Sequence, residues 1–240
     1  MQTITEKTVR EIAIENPSSV RVFESLGIDY CCSGKRPLSD ACSHANVDMD
    51  RVLELLATAS RDSQAPEVGE WRDKPLSDLI AHIVKTHHAF VRRESPRIAS
   101  LLTKVAAKHG PLHSEINQIE PLFTAIGQEL STHMLKEEQV LFPCVARMEQ
   151  AALSGNPLPE AFFGSVQRPI ANMVAEHDDA GALLSQVRAL SQGYTAPSGA
   201  CPTFLALYRG LEEFEHDLHH HIHLENNILF PRAIEMEKAD

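Results

Sequence analysis

The sequence predicts an all-α protein, and two observations carry that prediction. Apolar residues recur at intervals of three and four along most of the chain, which is the period of an amphipathic helix, whereas few segments alternate with the period of two typical of strands. A pattern of His, Glu four residues later and then Leu-Phe-Pro also occurs twice in the C-terminal half. We therefore predict an up-down-up-down four-helix bundle preceded by a small helical N-terminal domain.

Composition sets the predicted domain boundaries. Residues 61–75, RDSQAPEVGEWRDKP, are polar, contain Pro and Gly and break the helical pattern, so they are predicted to form a linker. Residues 1–60 then form the small N-terminal domain, and residues 76–240 form the bundle. The predicted helix breaks in the bundle lie near Gly110-Pro111, near Gly155-Asn156-Pro157 and between Gly193 and Pro202.

The overall charge and the cysteine count exclude several classes of protein. The 240 residues include 22 Lys and Arg against 33 Asp and Glu, a net charge of −11, which disfavours a nucleic-acid partner. No apolar run approaches the roughly 18 residues of a membrane helix, and the acidic N-terminus is unlike a secretory signal. The odd count of five cysteines argues for reduced thiols, and hence for a cytoplasmic protein without a membrane partner.

Each of the four predicted bundle helices carries a histidine on its apolar stripe. The stripes are Leu76, Ile80, Ile83, His87 and Phe90 or Val91; Ile126, Leu130, His133, Glu137 and Val140; Ile170, Val174, His177 and Leu184; and Phe214, Leu218, His221, Glu225 and Ile228. At about 100° per residue, His88 falls off the first stripe and is expected to face elsewhere.

The duplicated motif adds a glutamate to two of these stripes. It reads HMLKEEQVLFP from His133 and HIHLENNILFP from His221, 88 residues later. Residues four apart on a helix lie about 40° from each other, so Glu137 points inward with His133, as Glu225 does with His221.

Four imidazoles and two carboxylates are costly to bury in a bundle core unless they bind metal. The absence of a thiolate from this set disfavours structural zinc, and six side chains exceed the needs of one catalytic zinc. The set suits two transition metals, each with two His, bridged by the Glu carboxylates; iron and manganese both remain open. The predicted ligands are His87, His133, Glu137, His177, His221 and Glu225.

The motifs resemble those of a known family. The segments ELSTHMLKEEQVLFP, AEHDDAG and HLENNILFP resemble the hemerythrin-like domain. DYCCSGKRPL at 29–38 resembles the signature of the small N-terminal domain fused to it in iron–sulfur cluster repair di-iron proteins. The resemblance extends from about residue 8 to 236, and it implies a hemerythrin-like bundle in which the six predicted ligands hold two iron ions, bridged by carboxylate and by oxo.

The resemblance also implies a function, the repair of iron–sulfur clusters damaged by oxidative or nitrosative stress. Two mechanisms remain open: iron donation to a damaged iron–sulfur protein, and reduction of nitric oxide, which would make the protein an enzyme. The alternative is a module that binds or senses oxygen, nitric oxide or iron without catalysis, although no output domain is visible. A homodimer also remains open.

Four further residues are implied to act near the irons. By the resemblance, Glu129 and Glu176 line a polar path to the metal, although solvated carboxylates are an equal alternative. The vicinal Cys31 and Cys32 lie near Lys35, which favours a lowered thiol pKa and a role in redox chemistry or iron transfer. The alternative is a pair of small buried residues. The other cysteines, Cys42, Cys144 and Cys201, are expected to pack.

Overall fold

The computed structural model describes residues 4–31, 33–61, 71–158 and 164–238. These residues contain no β-strand, and an isolated bridge pairs Thr8 with Pro37. The prediction of an all-α protein is therefore confirmed. Cys32 and residues 62–70 of the predicted linker lie outside the described residues. Among the described helices, none combines the length and hydropathy needed to cross a bilayer.

The described residues form eleven α-helices and three π-helical turns. The α-helices are α1 Val9–Glu15, α2 Ser19–Leu26, α3 Leu38–Ala45, α4 Met49–Arg61, α5 Leu76–Ile83, α6 Ala89–His109, α7 Ser114–Lys136, α8 Phe142–Leu153, α9 Gln167–Leu190, α10 Pro202–Leu224 and α11 Phe230–Lys238. The first, second and third π turns are Val84–His88, Glu137–Leu141 and Glu225–Leu229. They join α5 to α6, α7 to α8 and α10 to α11, so each pair forms one long helix.

Each π turn shifts the buried positions of its helix by one residue, because it contains one residue more than an α turn. Each of these three long helices has a row of buried residues spaced seven positions apart, except for one step of eight across the π turn. They are Leu76, Ile83, Val91, Ile98 and Val105; Ile116, Phe123, Leu130, Glu137 and Val145; and Phe204, Leu211, Leu218, Glu225 and Ala233. Helix α9 has no π turn and keeps a spacing of seven at Ile170, His177 and Leu184.

The chain divides into two compact units. One unit comprises Met1–Leu79 together with His219–Asp240, and the other comprises Ile80–Leu218. We call them the terminal unit and the bundle unit. Helix α10 begins in the bundle unit and ends in the terminal unit.

Helices α6 and α7 of the bundle unit run antiparallel. Thr103 on α6 donates a hydrogen bond of 2.8 Å to Glu120 near the start of α7. His88, just before α6, lies 2.6 Å from Glu138, which follows α7. The start of one helix therefore meets the end of the next, as the short connection between them requires.

Helix α10 completes the core of the bundle unit. The Phe214 ring lies 6.2 Å from that of Phe90 on α6 and 5.1 Å from that of Phe123 on α7. Its neighbour Glu215 is buried and accepts a hydrogen bond of 2.9 Å from Arg188 Nε on α9. Contacts from α10 to the other three long helices thus build the four-helix bundle that the sequence predicts.

The terminal unit packs four short helices around their own apolar residues, among them the buried Phe23, Leu38 and Leu56. Helix α1 begins with a capping box, in which Glu11 N donates to Thr8 Oγ1 at 3.2 Å and Thr8 N donates to Glu11 Oε2 at 2.8 Å. Helix α1 also contacts α2 and the third π turn.

Candidate metal centre

Glu137, the first residue of the second π turn, lies at the centre of a buried cluster of imidazoles. Its Oε1 is 3.3 Å from Nε2 of His133, one helical turn earlier. Its Oε2 is 3.4 Å from Nε2 of His88, on the first π turn. One carboxylate therefore presents a different oxygen to each of two imidazoles, as a carboxylate that bridges two metal ions does.

His177 adds a third imidazole to this cluster. Its Nε2 lies 3.0 Å from Nε2 of His133, and both rings are buried. His133, Glu137 and His177 each offer a ligand atom, and these atoms lie within 4.8 Å of one another. Two imidazole nitrogens and a carboxylate oxygen that converge so closely form a donor set suited to one transition metal.

A carboxylate contacts the outer nitrogen of three buried histidines in the bundle unit. The Nδ1 to carboxylate oxygen distances are 3.0 Å for His87 with Asp217, 2.6 Å for His88 with Glu138 and 2.9 Å for His133 with Glu176. A carboxylate at Nδ1 orients the ring and makes Nε2 the metal-binding atom, which is the usual arrangement around metal-bound histidines.

Two of these outer carboxylates are held ionised by their neighbours. Partial burial alone would raise the pKa of Glu138, but hydrogen bonds from His88 and Arg92 hold it below its usual range. For Glu176, burial is likewise outweighed, mainly by the hydrogen bond from Lys136, and the pKa is lowered. Both groups are therefore anionic at neutral pH and increase the basicity of the imidazoles they contact.

In the first long helix, His88 rather than its predicted neighbour shares a cluster of candidate ligand atoms with Glu137. His87 is buried too, but it lies beside Asp217 and its ring is 5.6 Å from that of His82. The first π turn explains why stripe analysis missed His88, since an extra residue rotates the following positions inward. The sequence does carry a signal of the extra residue, because the apolar positions Ile83 and Val91 lie eight residues apart instead of seven.

The duplicated motif has the same local geometry in the terminal unit. His221 and Glu225 are both fully buried, and His221 Nε2 lies 3.0 Å from Glu225 Oε1. Glu225 begins the third π turn, as Glu137 begins the second. The sequence repeat is therefore also a repeat of the helix, the ligand pair and the π turn.

A cavity of about 350 Å³ lies beside His133 in the bundle unit. Its lining is Glu129, Leu130, Thr132, His133, Lys136, Glu176, Asp179 and Ala180. Both glutamates of the predicted polar path thus lie on the wall of one cavity that reaches a candidate ligand.

The described cysteines have different surroundings. Cys31 is buried, and its Sγ lies 3.4 Å from Asp29 Oδ1. Cys42 and Cys144 are buried as well. Cys201 is half-buried just before α10, with its Sγ 3.3 Å from His109 Nε2. Hydrogen bonds from the main chain of Phe204 and Thr203, and the positive charge of Lys108, lower the pKa of this thiol.

Comparisons with known proteins match both parts of the chain. Residues 79–233 match the family model described as the hemerythrin HHE cation binding domain. Residues 5–60 match the model ScdA_N, described as a domain of unknown function.

Curated relatives match almost the whole chain. The proteins named iron-sulfur cluster repair protein YtfE of Pectobacterium carotovorum and Pectobacterium atrosepticum are each 37% identical over 239 residues, covering 97% of this chain and 98% of the relative. The protein of the same name from Yersinia pseudotuberculosis is 37% identical over 226 residues, covering 94% of this chain and 96% of the relative. The chain therefore belongs to the family of iron–sulfur cluster repair proteins in which an ScdA_N domain precedes a hemerythrin domain.

Proposed function

We propose that this chain is a cytoplasmic di-iron protein that repairs iron–sulfur clusters damaged by oxidative or nitrosative stress. Its relatives with 37% identity carry the name of iron–sulfur cluster repair proteins. In the structure, the observation that supports the proposal most directly is the buried Glu137 carboxylate, which has an imidazole Nε2 at 3.3 Å and another at 3.4 Å, one facing each oxygen.

The proposed ligands of the two irons are His88, His133, Glu137, His177, His221 and Glu225. His88 replaces the adjacent His87 of the sequence-based set because its Nε2 is the one that faces Glu137. The duplicated motif supports the same role for His221 and Glu225 as for His133 and Glu137. Imidazole and carboxylate donors suit iron, and the carboxylates at Nδ1 would hold the imidazoles in place for it.

Each side chain has a role that follows from its surroundings. When bound, the irons would supply exchangeable metal and a redox-active pair. Glu137 would balance their charge inside an apolar core, where an unbalanced carboxylate is costly. Glu138 and Glu176 orient His88 and His133 from outside and remain ionised at neutral pH.

The charge of the cavity favours iron donation over reduction of nitric oxide. Three carboxylates, Glu129, Glu176 and Asp179, line its wall against one cation, Lys136. A net negative passage concentrates cations, whereas a neutral gas gains nothing from it. We therefore propose that iron leaves the centre past Glu176 and Glu129 on its way to a damaged cluster.

Iron transfer between proteins tests this proposal. The protein, purified without air and loaded with ferrous iron, is expected to hold about two irons per chain and to rebuild the cluster of an apo iron–sulfur protein. Glu129→Gln should slow the transfer without lowering the iron content. Glu120→Gln, which changes a half-buried residue of the same helix outside the cavity, should leave both the transfer rate and the iron content unchanged.

Three results would overturn the proposal. Zinc or no metal in the loaded protein would exclude the di-iron centre. Equal transfer by the parent and by Glu129→Gln would exclude the proposed path. Catalytic consumption of nitric oxide by the same preparation, without any iron transfer, would replace donation by nitric oxide reduction.

A further inference from the structure

A buried asparagine in the terminal unit joins Tyr30 and Cys31, which we call the cysteine-bearing segment, to the third π turn. Asn227 Nδ2 donates a hydrogen bond of 3.0 Å to the main-chain oxygen of Tyr30 and lies 2.7 Å from His223 Nδ1. The main-chain oxygen of Asn227 accepts from Arg10 Nη2 at 3.2 Å. Asn227 is 6% exposed, so water cannot easily replace these partners.

The contact between Asn227 and His223 fixes which ring nitrogen accepts a hydrogen bond. An amide N–H group can only donate, so Nδ1 of His223, which lies 2.7 Å from Asn227 Nδ2, is the acceptor. Both N–H groups of the Asn227 amide therefore donate a hydrogen bond, one to the His223 ring and one to the main-chain oxygen of Tyr30.

Further contacts strengthen the same attachment. Asn226 Nδ2 donates to the main-chain oxygen of Cys31 at 3.4 Å. The buried Tyr30 ring lies edge-on to His223, with 5.4 Å between ring centroids, and 6.3 Å from the ring of His219. The two residues that follow Glu225 thus hold two consecutive carbonyl groups of the cysteine-bearing segment.

We propose that Asn227 is a positioning residue that seats the main chain of Tyr30 and Cys31 on the third π turn. Exposure of the Cys31 thiol then requires this attachment to open, and any ligand that orders the turn also protects the thiol. Binding coupled to a local opening acts in both directions, so metal at Glu225 would slow Cys31 exposure. Only this last step rests on the proposed function.

Alkylation of individual cysteines, followed by mass spectrometry, tests the attachment. In Asn227→Asp, the side chain keeps its size but cannot donate to Tyr30. Without iron, we expect Cys31 to be alkylated about tenfold faster than in the parent, the factor for a lost buried hydrogen bond. Cys144, buried in the bundle unit, reports global opening and should keep its rate.

Two variants guard against a simple failure to fold. Asn117→Asp makes the same change in the bundle unit, at an amide that donates to the main-chain oxygen of Gly110 at 3.3 Å. It should leave the alkylation rate of Cys31 unchanged. Asn226→Ala removes the longer bond to Cys31 from a half-buried side chain, and should accelerate the alkylation of Cys31 by a smaller factor.

Iron loading then tests the coupling. Iron should slow Cys31 alkylation in the parent and have no effect on it in Asn227→Asp. Unchanged Cys31 alkylation in the iron-free variant, or an equal acceleration at Cys144, would overturn the attachment. Equal protection by iron in parent and variant would overturn the coupling. If no iron binds, the proposed function fails, whereas the iron-free rates still decide whether Asn227 holds the segment.

Discussion

The adjacent histidines of the first long helix give the sharpest test of the proposed ligand set. His88→Ala and His87→Ala remove the same side chain from neighbouring buried positions. Regular helical periodicity assigns His87 to the metal, whereas the first π turn brings His88 Nε2 to 3.4 Å from Glu137 Oε2. The two variants therefore separate the two assignments with a matched loss of volume.

The expected magnitudes follow from the contacts of each ring. Loss of a residue that merely orients a metal ligand costs about 10- to 100-fold in affinity. Loss of the ligand itself should cost at least about 100-fold, or about 2.7 kcal/mol. His87→Ala removes a contact with Asp217, outside the cluster around Glu137, and should change iron affinity by less than about tenfold.

Iron retention and thermal unfolding measure these effects. The proteins are loaded with iron in the absence of air and then passed through gel filtration. His88→Ala should retain less iron than His87→Ala, and the iron content of His87→Ala should match that of the parent. Iron should raise the unfolding temperature of the parent and of His87→Ala but not of His88→Ala. In iron-free protein, both variants should lose a similar stability, about 2–4 kcal/mol. Iron retention by His88→Ala with iron loss from His87→Ala would refute the reasoning.

Three further predictions concern other parts of the molecule. Glu176→Gln should weaken iron binding by about 10- to 100-fold through the lost contact with His133, measured by competition with a chelator; parent-like binding would contradict this. At pH 7, alkylation of Cys201 should outpace that of Cys42, because main-chain hydrogen bonds lower the pKa of the first thiol and burial raises that of the second. As the pH falls, Cys201 should remain a thiolate to a lower pH than an ordinary cysteine. Equal alkylation rates of Cys201 and Cys42 at all pH values would exclude the effect. Thr8→Ala should lower the free energy of unfolding by about 1 kcal/mol in urea, whereas Thr8→Ser should preserve it; equal losses would contradict a capping role.

Much of the fold followed from periodicity alone. Apolar residues at helical spacing predicted the helices, and short polar breaks predicted the antiparallel order. The duplicated motif predicted that Glu137 and Glu225 lie inside, and both are fully buried. These predictions succeed because burial in a helical bundle depends on spacing within one helix, which the sequence states directly.

The first long helix shows where periodicity stops being sufficient. A constant angle per residue puts His87 inward and His88 outward, yet both are buried, at 3% and 0% exposure. The step of eight from Ile83 to Val91 records the extra residue, but it does not say which of the two rings approaches Glu137. The carboxylates that orient the rings, such as Glu138 and Asp217, come from other helices, so no pattern within one helix predicts them.

The positions of the π turns connect the metal centre to the packing of the bundle. A ligand pair of His and Glu four residues apart uses the same inward stripe as the apolar core, as at His133 and Glu137. In an uninterrupted α-helix, the position seven residues after Glu137 would continue that stripe. The extra residue of the second π turn moves the continuation to Val145, which is fully buried.

The same displacement occurs after Glu225, where Ala233 continues the stripe. Helix α9, which contributes one proposed ligand, His177, has no π turn. A π turn replaces regular α-helical hydrogen bonds, so its recurrence at both glutamates of a duplicated motif calls for a compensating gain. Placement of a buried carboxylate beside an imidazole is such a gain, because an anion in an apolar core is stable only with partners at fixed positions. The turns are therefore part of the site, and the one-residue shift in the apolar pattern is the mark that they leave in the sequence.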